Sequence, residues 1–280
     1  MLSAPSYGKV NLFLYVTAKR DDGYHDISTL FCAIDFYDTI KISPSQKTFL
    51  ENTGIGIPVG KDNIVMAVDE ILRKEYHLNK HYKISIHKRI PVGAGLAGGS
   101  SNACTYLELV DKAAQLNRTL EQKHAVLECV GSDAPFFLYK PFAVGSGRGE
   151  LLTPVKVEPR LHFILINPGI FISAASACTD EKLQLTPPGD LPKILNLYGM
   201  ADILAAMKND LQPPIFLNYP VLPEICSSIE AAGDLKAMMS RAGSTVFGIF
   251  ADSISRDTAY AQLQQKYAKY LVIKADSVLL

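Results

Sequence analysis

Residues 8–16 (GKVNLFLYV) are rich in β-forming side chains and alternate in character. They predict a strand with Lys9 and Asn11 on one face and Val10, Leu12 and Leu14 on the other. Asp21-Asp22-Gly23 reads as a turn, and 27–36 and 38–43 as two further strands. Asp62 stands where a helix N-cap belongs, and Ile64, Val68, Ile71 and Leu72 then recur at helical spacing over 63–75. Residues 82–88 (YKISIHK) alternate again and run through Arg89-Ile90-Pro91 into a glycine-rich stretch. Two helices follow, at 100–115 and 119–130, with no strand between them. Beyond them, 161–166 is a short apolar strand closed by Asn167-Pro168-Gly169, and Pro187-Pro188-Gly189 marks an excursion within 178–195. Helices are predicted at 198–208, 222–232 and 255–267, and strands at 244–250 and 270–274. A length of 280 residues favours two domains, and the softest boundary lies near 150–160.

Composition narrows the function. Lys+Arg and Asp+Glu balance at 28 each, which argues against a nucleic-acid surface and its basic excess. Five scattered cysteines (Cys32, Cys104, Cys129, Cys178, Cys226) form no Cys-x-x-Cys pair, so they read as reduced thiols and not as a zinc site. The N-terminus lacks a signal-peptide layout, and no apolar run approaches the roughly 18–20 residues that span a bilayer. The expectation is a soluble cytoplasmic protein acting on a small molecule, with no nucleic acid or membrane partner.

The strongest chemical signal is Gly93-Ala94-Gly95-Leu96-Ala97-Gly98-Gly99-Ser100-Ser101. Backbone N–H groups reach a phosphate only where side chains do not intervene, and a helix N-terminus adds attraction for an anion. Gly93-x-Gly95-x-x-Gly98 also matches the dinucleotide-binding fingerprint. That motif requires a following strand ending in Asp or Glu, and none stands near 115–125. No Gly-Lys-Ser/Thr follows the glycines, so a P-loop is excluded as well.

Three separated segments resemble the GHMP kinases. Pro91-x-Gly93-x-Gly95-Leu96-x-Gly98-Gly99-Ser100-Ser101-Asn102 is similar to their phosphate-binding signature. Ala4-Pro5 through Lys9-x-Asn11-Leu12, with Arg20-x-Asp22-Gly23-Tyr24-His25, resembles the members that phosphorylate a cytidine-diphosphate-linked methylerythritol. Gly131-Ser132-Asp133-Ala134-Pro135-Phe136-Phe137 resembles their catalytic aspartate segment. Lesser matches at Asp62-Asn63, Lys88-Arg89-x-Pro91, Asn167-Pro168-Gly169 and Asn209-Asp210-Leu211 extend the resemblance from end to end.

The resemblance implies a two-domain α+β fold, with an N-terminal ATP-binding domain over 1–155 and a C-terminal domain over 156–280. It implies transfer of phosphate from ATP, with Mg2+, to the 2-hydroxyl of that substrate in non-mevalonate isoprenoid synthesis. Lys9 and Asp133 match the catalytic positions. Asn63, Lys88, Pro91, Val92, Gly93, Ala94, Gly95, Leu96, Ala97, Gly98, Gly99, Ser100 and Ser101 match the ATP-binding ones. Asn11, Tyr24, His25 and Phe31 match positions around the acceptor and its cytosine. Residue chemistry agrees, because an ionised Asp accepts a hydroxyl proton, a lysine stabilises developing charge, and a tyrosine ring offers a face for a base.

Taken singly, Asp133 would read as a turn residue and Lys9 as a solvated edge charge; the joint match lifts both. The chain departs from the family in two places. Ser240-Arg241-Ala242-Gly243-Ser244-Thr245 puts Arg241 where a glycine is usual, and this guanidinium is a candidate phosphate contact. Ala174 and Cys178 stand where a hydroxyl residue and an aromatic are usual. The alternatives are a GHMP kinase for another small alcohol and a nucleotide-binding regulator that has lost catalysis.

Overall fold

The longest strands are β1 (Leu2–Lys19) and β2 (His25–Pro44), which pair with each other in the computed structural model. The model describes residues 1–172, 183–193 and 199–279. The turn between these strands is the expected one: Gly23 takes a left-handed φ of +83°, and Arg20 pairs with Asp22 at 2.9 Å and Asp26 at 2.8 Å. The two strands expected at 27–36 and 38–43 are one continuous strand. The expected gap fell at Tyr37, and beside it the fully buried carboxylate of Asp38 accepts bonds from Arg89 N (2.7 Å), Ile90 N (2.8 Å), Asn102 Nδ2 (2.9 Å) and Lys88 Nζ. A buried carboxylate so fully satisfied does not interrupt a strand.

The chain divides into two compact units, and both β1 and β2 contribute residues to each. The first comprises 1–8, 37–92 and 97–139. Here β3 (Phe49–Gly54) runs parallel to β4 (Tyr82–Lys88), and β4 is antiparallel to β2, with Ile40 opposite Ile86. Helix α1 (Ile64–Tyr76) packs on α2 (Gly98–Ala114) and α3 (Leu120–Glu128). The cap of α1 is Asn63 rather than Asp62, its side chain accepting from Val65 N at 2.9 Å. Thr119 and Gln122 close a capping box on α3. The sequence FLENTG holds too few apolar residues to announce β3, whose pairing comes from β4.

The second unit comprises 9–36, 93–96 and 140–280. In it β5 (Phe142–Ser146) pairs antiparallel with β2 and with β6 (Leu151–Pro154). A separate antiparallel sheet has the order β10-β7-β9-β8, from β7 (His162–Asn167), β8 (Lys236–Met239), β9 (Val246–Phe250) and β10 (Leu271–Asp276). Helices α4 (Met200–Ala206) and α5 (Gln212–Asn218) precede α6 (Val221–Ala231), which packs on β8 and β9. Helix α7 (Ser253–Lys266) packs on β7, β9 and β10. Ile164, Ile166, Leu222, Ile225, Ile229, Val246, Phe250 and Leu263 share one core. Pro213 and Pro214 mask α5 in the sequence, yet both sit in its first turn, where a missing N–H costs nothing.

Among the described residues no helix is long and apolar enough to cross a membrane, and Cys32, Cys104, Cys129 and Cys226 are free thiols. Cys178 and Ala174 lie outside the described residues.

Between α6 and β8, Asp234 keeps a carboxylate oxygen buried with no hydrogen-bond partner among the described residues. Burial, and then the charge of Glu230, raise its pKa to about 7. The folded protein therefore holds a proton that the unfolded chain releases near pH 4. Stability contributed by this group is full below that point and is lost as pH rises toward 7. Urea midpoints measured from pH 4 to 8 are expected to fall by the equivalent of about 1 kcal/mol, after allowance for partial exposure. In Asp234→Asn that dependence should flatten; an unchanged slope refutes the assignment.

Candidate active site

Lys9 on β1 is fully buried, and an ammonium out of reach of water must find acceptors within the protein. It donates to the Gly95 carbonyl at 2.8 Å and to Asn11 Oδ1, and lies 5.7 Å from the Phe31 ring centroid. Asn11 Nδ2 donates onward to Thr29 Oγ1 at 2.7 Å, and Thr29 Oγ1 to the Phe13 carbonyl at 2.6 Å. Ser240 Oγ also donates to the Gly95 carbonyl, at 3.0 Å. One carbonyl of the glycine loop thus joins β1 to the 240–245 loop. Burial first, and the positive charge of Arg241 second, push the Lys9 pKa well below the ordinary lysine value.

Gly95 has φ +76°, and a Cβ placed on it would overlap the Ser240 carbonyl. Only glycine permits this approach. Gly93, at φ +66°, lies directly against the ring of Phe171. Ala94 and Leu96 are buried, whereas Val92 is exposed and Pro91 half-buried. Arg241 adopts φ +53°, a left-handed conformation that side chains other than glycine rarely take. Asn209 Nδ2 holds it there, donating to the carbonyls of Arg241 (2.7 Å) and Met239 (2.8 Å). Burial lowers the Arg241 pKa to about 10.

At the start of β2, Tyr24 is 57% exposed. His25 Nδ1 and Ser28 Oγ are buried and make no hydrogen bond among the described residues. Phe31 is fully buried beneath Lys9.

In the first unit, Ala97 caps α2 in the left-handed region at φ +52°. Gly98 is buried against Lys88 Nζ at 2.6 Å from its hypothetical Cβ, while Gly99 is exposed with nothing nearer than Ile64 Cγ2 at 3.7 Å. Ser100 is half-buried. Ser101 accepts from Ser6 Oγ at 2.8 Å, and Ser6 accepts from Asn102 Nδ2 at 2.8 Å. Lys88 is buried in its ion pair with Asp38; burial lowers its pKa and Asp38 opposes that shift. Asn63 spends its side chain on Val65 N and on the Pro58 carbonyl at 2.7 Å. Asp133 is buried in the turn after α3, just before a 3-10 turn at Pro135–Leu138 whose Phe136 and Phe137 are buried.

The sequence did not single out Asp38, Ser6 or Ser240 as parts of this framework. Asn209, quoted only as a lesser match, is the clamp on the Arg241 loop. The exposed first turn of α2, with Gly99 and a serine hydroxyl, has the donor chemistry of an anion site.

Comparison with known proteins gives the family of the chain. The family model described as "GHMP kinases N terminal domain" matches residues 63–140, and "GHMP kinases C terminal" matches 195–269. The 4-diphosphocytidyl-2-C-methyl-D-erythritol kinase of Chlorobium limicola is 32% identical over 270 residues, covering 95% of this chain and 94% of the relative. That of Geobacter sp. (strain M21) is 36% identical over 267 residues, covering 94% of each. A crystal structure of 4-(cytidine 5'-diphospho)-2C-methyl-D-erythritol kinase superposes with a TM-score of 0.82 at 25% identity, covering 99% of this chain and 100% of that one. Homoserine kinase from Cytophaga hutchinsonii, at 15% identity and a TM-score of 0.72 over 100% of this chain and 96% of that one, shares the fold.

The two kinds of glycine separate experimentally. Gly99→Ala has room for its methyl group, so thermal stability should hold while ATP affinity drops by roughly tenfold, the worth of one backbone bond to a charged oxygen. Gly95→Ala should instead lower the Tm, because the methyl displaces the Ser240 carbonyl. Calorimetric titration alongside thermal melts distinguishes them; unchanged ATP affinity in Gly99→Ala refutes the first expectation.

Proposed function

We infer, because the chain belongs to the 4-diphosphocytidyl-2-C-methyl-D-erythritol kinase family of GHMP kinases, that it phosphorylates the 2-hydroxyl of 4-diphosphocytidyl-2-C-methyl-D-erythritol. The phosphoryl donor is ATP, and the step belongs to non-mevalonate isoprenoid precursor synthesis in the cytoplasm. The observation that carries this reading is the buried Lys9, tied through the Gly95 carbonyl to the glycine loop.

Phosphoryl transfer needs alignment, neutralisation of charge and a group to take the hydroxyl proton. Asp133 is assigned the last role, as a carboxylate that accepts the proton of the acceptor 2-hydroxyl. Lys9 is assigned the stabilisation of charge on the transferred group; an arriving phosphoryl anion offsets the burial that depresses its pKa. The exposed Gly99 amide and the Ser100 hydroxyl at the first turn of α2 fit the nucleotide phosphates. Bound with the nucleotide, Mg2+ would neutralise part of the charge on its phosphates. Tyr24 offers an exposed ring face to cytosine, and His25 a ring nitrogen to its polar edge.

An ADP-release assay across acceptors tests the reading. Turnover with 4-diphosphocytidyl-2-C-methyl-D-erythritol, and none with mevalonate, homoserine or methylerythritol lacking cytidine, is expected. Turnover of a cytidine-free alcohol alone would transfer the chain to another specificity, and ATP binding without turnover of any acceptor to a regulatory role.

Replacing Asp133 with Asn keeps shape and removes the proton acceptor, so kcat should fall by about 10²–10⁴ while ATP binding persists. Near-normal turnover sinks the assignment.

Arg241 is assigned a phosphate contact, a role for which a planar, charged fork is suited. Its left-handed backbone makes a paired test possible. Arg241→Gly should raise stability by about 1 kcal/mol through relief of strain, yet raise the KM of the acceptor. Arg241→Ala keeps the strain and should raise KM alike, and both losses should shrink as salt screens the charge. Unchanged kinetics in both variants would make Arg241 a bystander.

A further inference from the structure

Tyr24 presents its ring to solvent, but the ring does not stand alone. The guanidinium carbon of Arg148 lies 5.3 Å from the ring centroid, within the range of a cation–π contact. Both partners are held from behind. Tyr24 N donates to Asp22 Oδ1 at 3.1 Å and its carbonyl accepts from Arg20 N at 2.9 Å, so the turn fixes the backbone beneath the ring. Arg148 sits in the tight connection between β5 and β6, between Gly147 (φ +66°) and Gly149 (φ +111°). Its N–H donates to Glu150 Oε2 at 2.6 Å, and its Nε lies 3.6 Å from Glu150 Oε1. The buried Glu150 thus braces the arginine, and the Gly147 carbonyl, accepting from Ile27 N at 2.7 Å, ties this connection to β2 two residues beyond His25. The Arg148 charge also reaches Asp22, where it helps to hold the carboxyl below its usual range after the bonds from Arg20 and Tyr24 N.

We propose that Arg148 is a positioning residue for the nucleobase end of the acceptor, its guanidinium backing one face of Tyr24 so that the ring is held ready to stack an aromatic base. This rests on the cytidine-linked acceptor proposed above. An exposed tyrosine on a turn would otherwise sample several rotamers and lose that freedom on binding; a cation seated on its ring bears part of that ordering beforehand. Covering the ring with a base also excludes water, which strengthens the cation–π contact when ligand is bound. The glycines at 147 and 149, just before the soft boundary expected near 150–160, acquire a purpose in the turn that presents Arg148.

The chain contains no tryptophan, so Tyr24→Trp installs a single, selectively excited tryptophan at the proposed site. Cytidine 5'-diphosphate and inorganic pyrophosphate are the probes, titrated against this variant with Arg148 retained or replaced by Ala, Met or Lys. Arg148→Ala and Arg148→Met should weaken cytidine diphosphate by about tenfold and leave pyrophosphate unchanged, with Arg148→Lys restoring part of the loss. Equal weakening of both probes would reduce Arg148 to a general charge and overturn the proposal, as would unchanged affinity for both. On the natural Tyr24 background, Arg148→Ala should raise the KM of the acceptor without lowering kcat, and in Tyr24→Leu it should add nothing; additive losses overturn the coupling. Absence of kinase activity toward the cytidine-linked acceptor defeats the functional reading by itself, whereas the binding titration still decides the role of Arg148.

Discussion

A lysine ammonium cannot be shut away from water without acceptors, and the burial of Lys9 sets conditions on everything around it. Its bond to the Gly95 carbonyl requires the glycine loop to come up against β1. Ser240 Oγ donates to that same carbonyl, so the 240–245 loop must come up as well. Backbones this close leave no space for a Cβ on Gly95. On the other side, Asn11 satisfies the ammonium only because Thr29 fixes the amide, and Thr29 in turn is fixed by the Phe13 carbonyl. The requirement for glycine at 95, for a hydroxyl at 240 and for polar residues inside two apolar strands therefore descends from one buried charge.

Lys88 shows the opposite solution to the same problem. Its ammonium is neutralised by Asp38, whose other bonds go to the backbone just after β4 and to Asn102 on α2. The pair closes the end of a strand against the start of a helix, which is a structural task. For Lys88, the counterion works against the effect of burial; for Lys9, burial and the Arg241 charge act in the same direction. A cation whose charged form is disfavoured by its surroundings is the more responsive to an arriving anion, and this is why Lys9 is assigned to catalysis.

Much of this was legible in the sequence, and the failures have physical causes. Helices α1, α2, α3, α4, α6 and α7 and strands β1, β4, β7, β9 and β10 stand where the sequence predicts them, within a few residues at their ends. Strands β3, β5, β6 and β8 were not read from the sequence, and pairing with their neighbours makes them strands. The predicted gap at residue 37 failed because Tyr37 carries one strand through it, and a sequence does not show the four donors that hold Asp38 beside it. The glycine loop was read from its own chemistry, and Lys9 and Asn11 were singled out through a family pattern. Arg148 was passed over, since its meaning comes from a ring more than a hundred positions earlier in the chain. The backbone angle of Arg241 was hidden too, although the family's usual glycine there is what a left-handed position favours.

The glycine-rich loop shows how a motif can mix two purposes. Gly93 makes way for Phe171, Gly95 for the Ser240 carbonyl, and Gly98 for Lys88 and Ile90. Each of these three is demanded by the protein's own packing and would be needed without any ligand. Gly99 alone among them leaves ordinary room for a Cβ, whose nearest neighbour would be Ile64 Cγ2 at 3.7 Å. A glycine kept where packing does not call for it leaves the backbone N–H uncovered. Gly99 and the serine after it are therefore the positions of the motif proposed above for the nucleotide phosphates, while Gly93, Gly95 and Gly98 answer to packing within their own units.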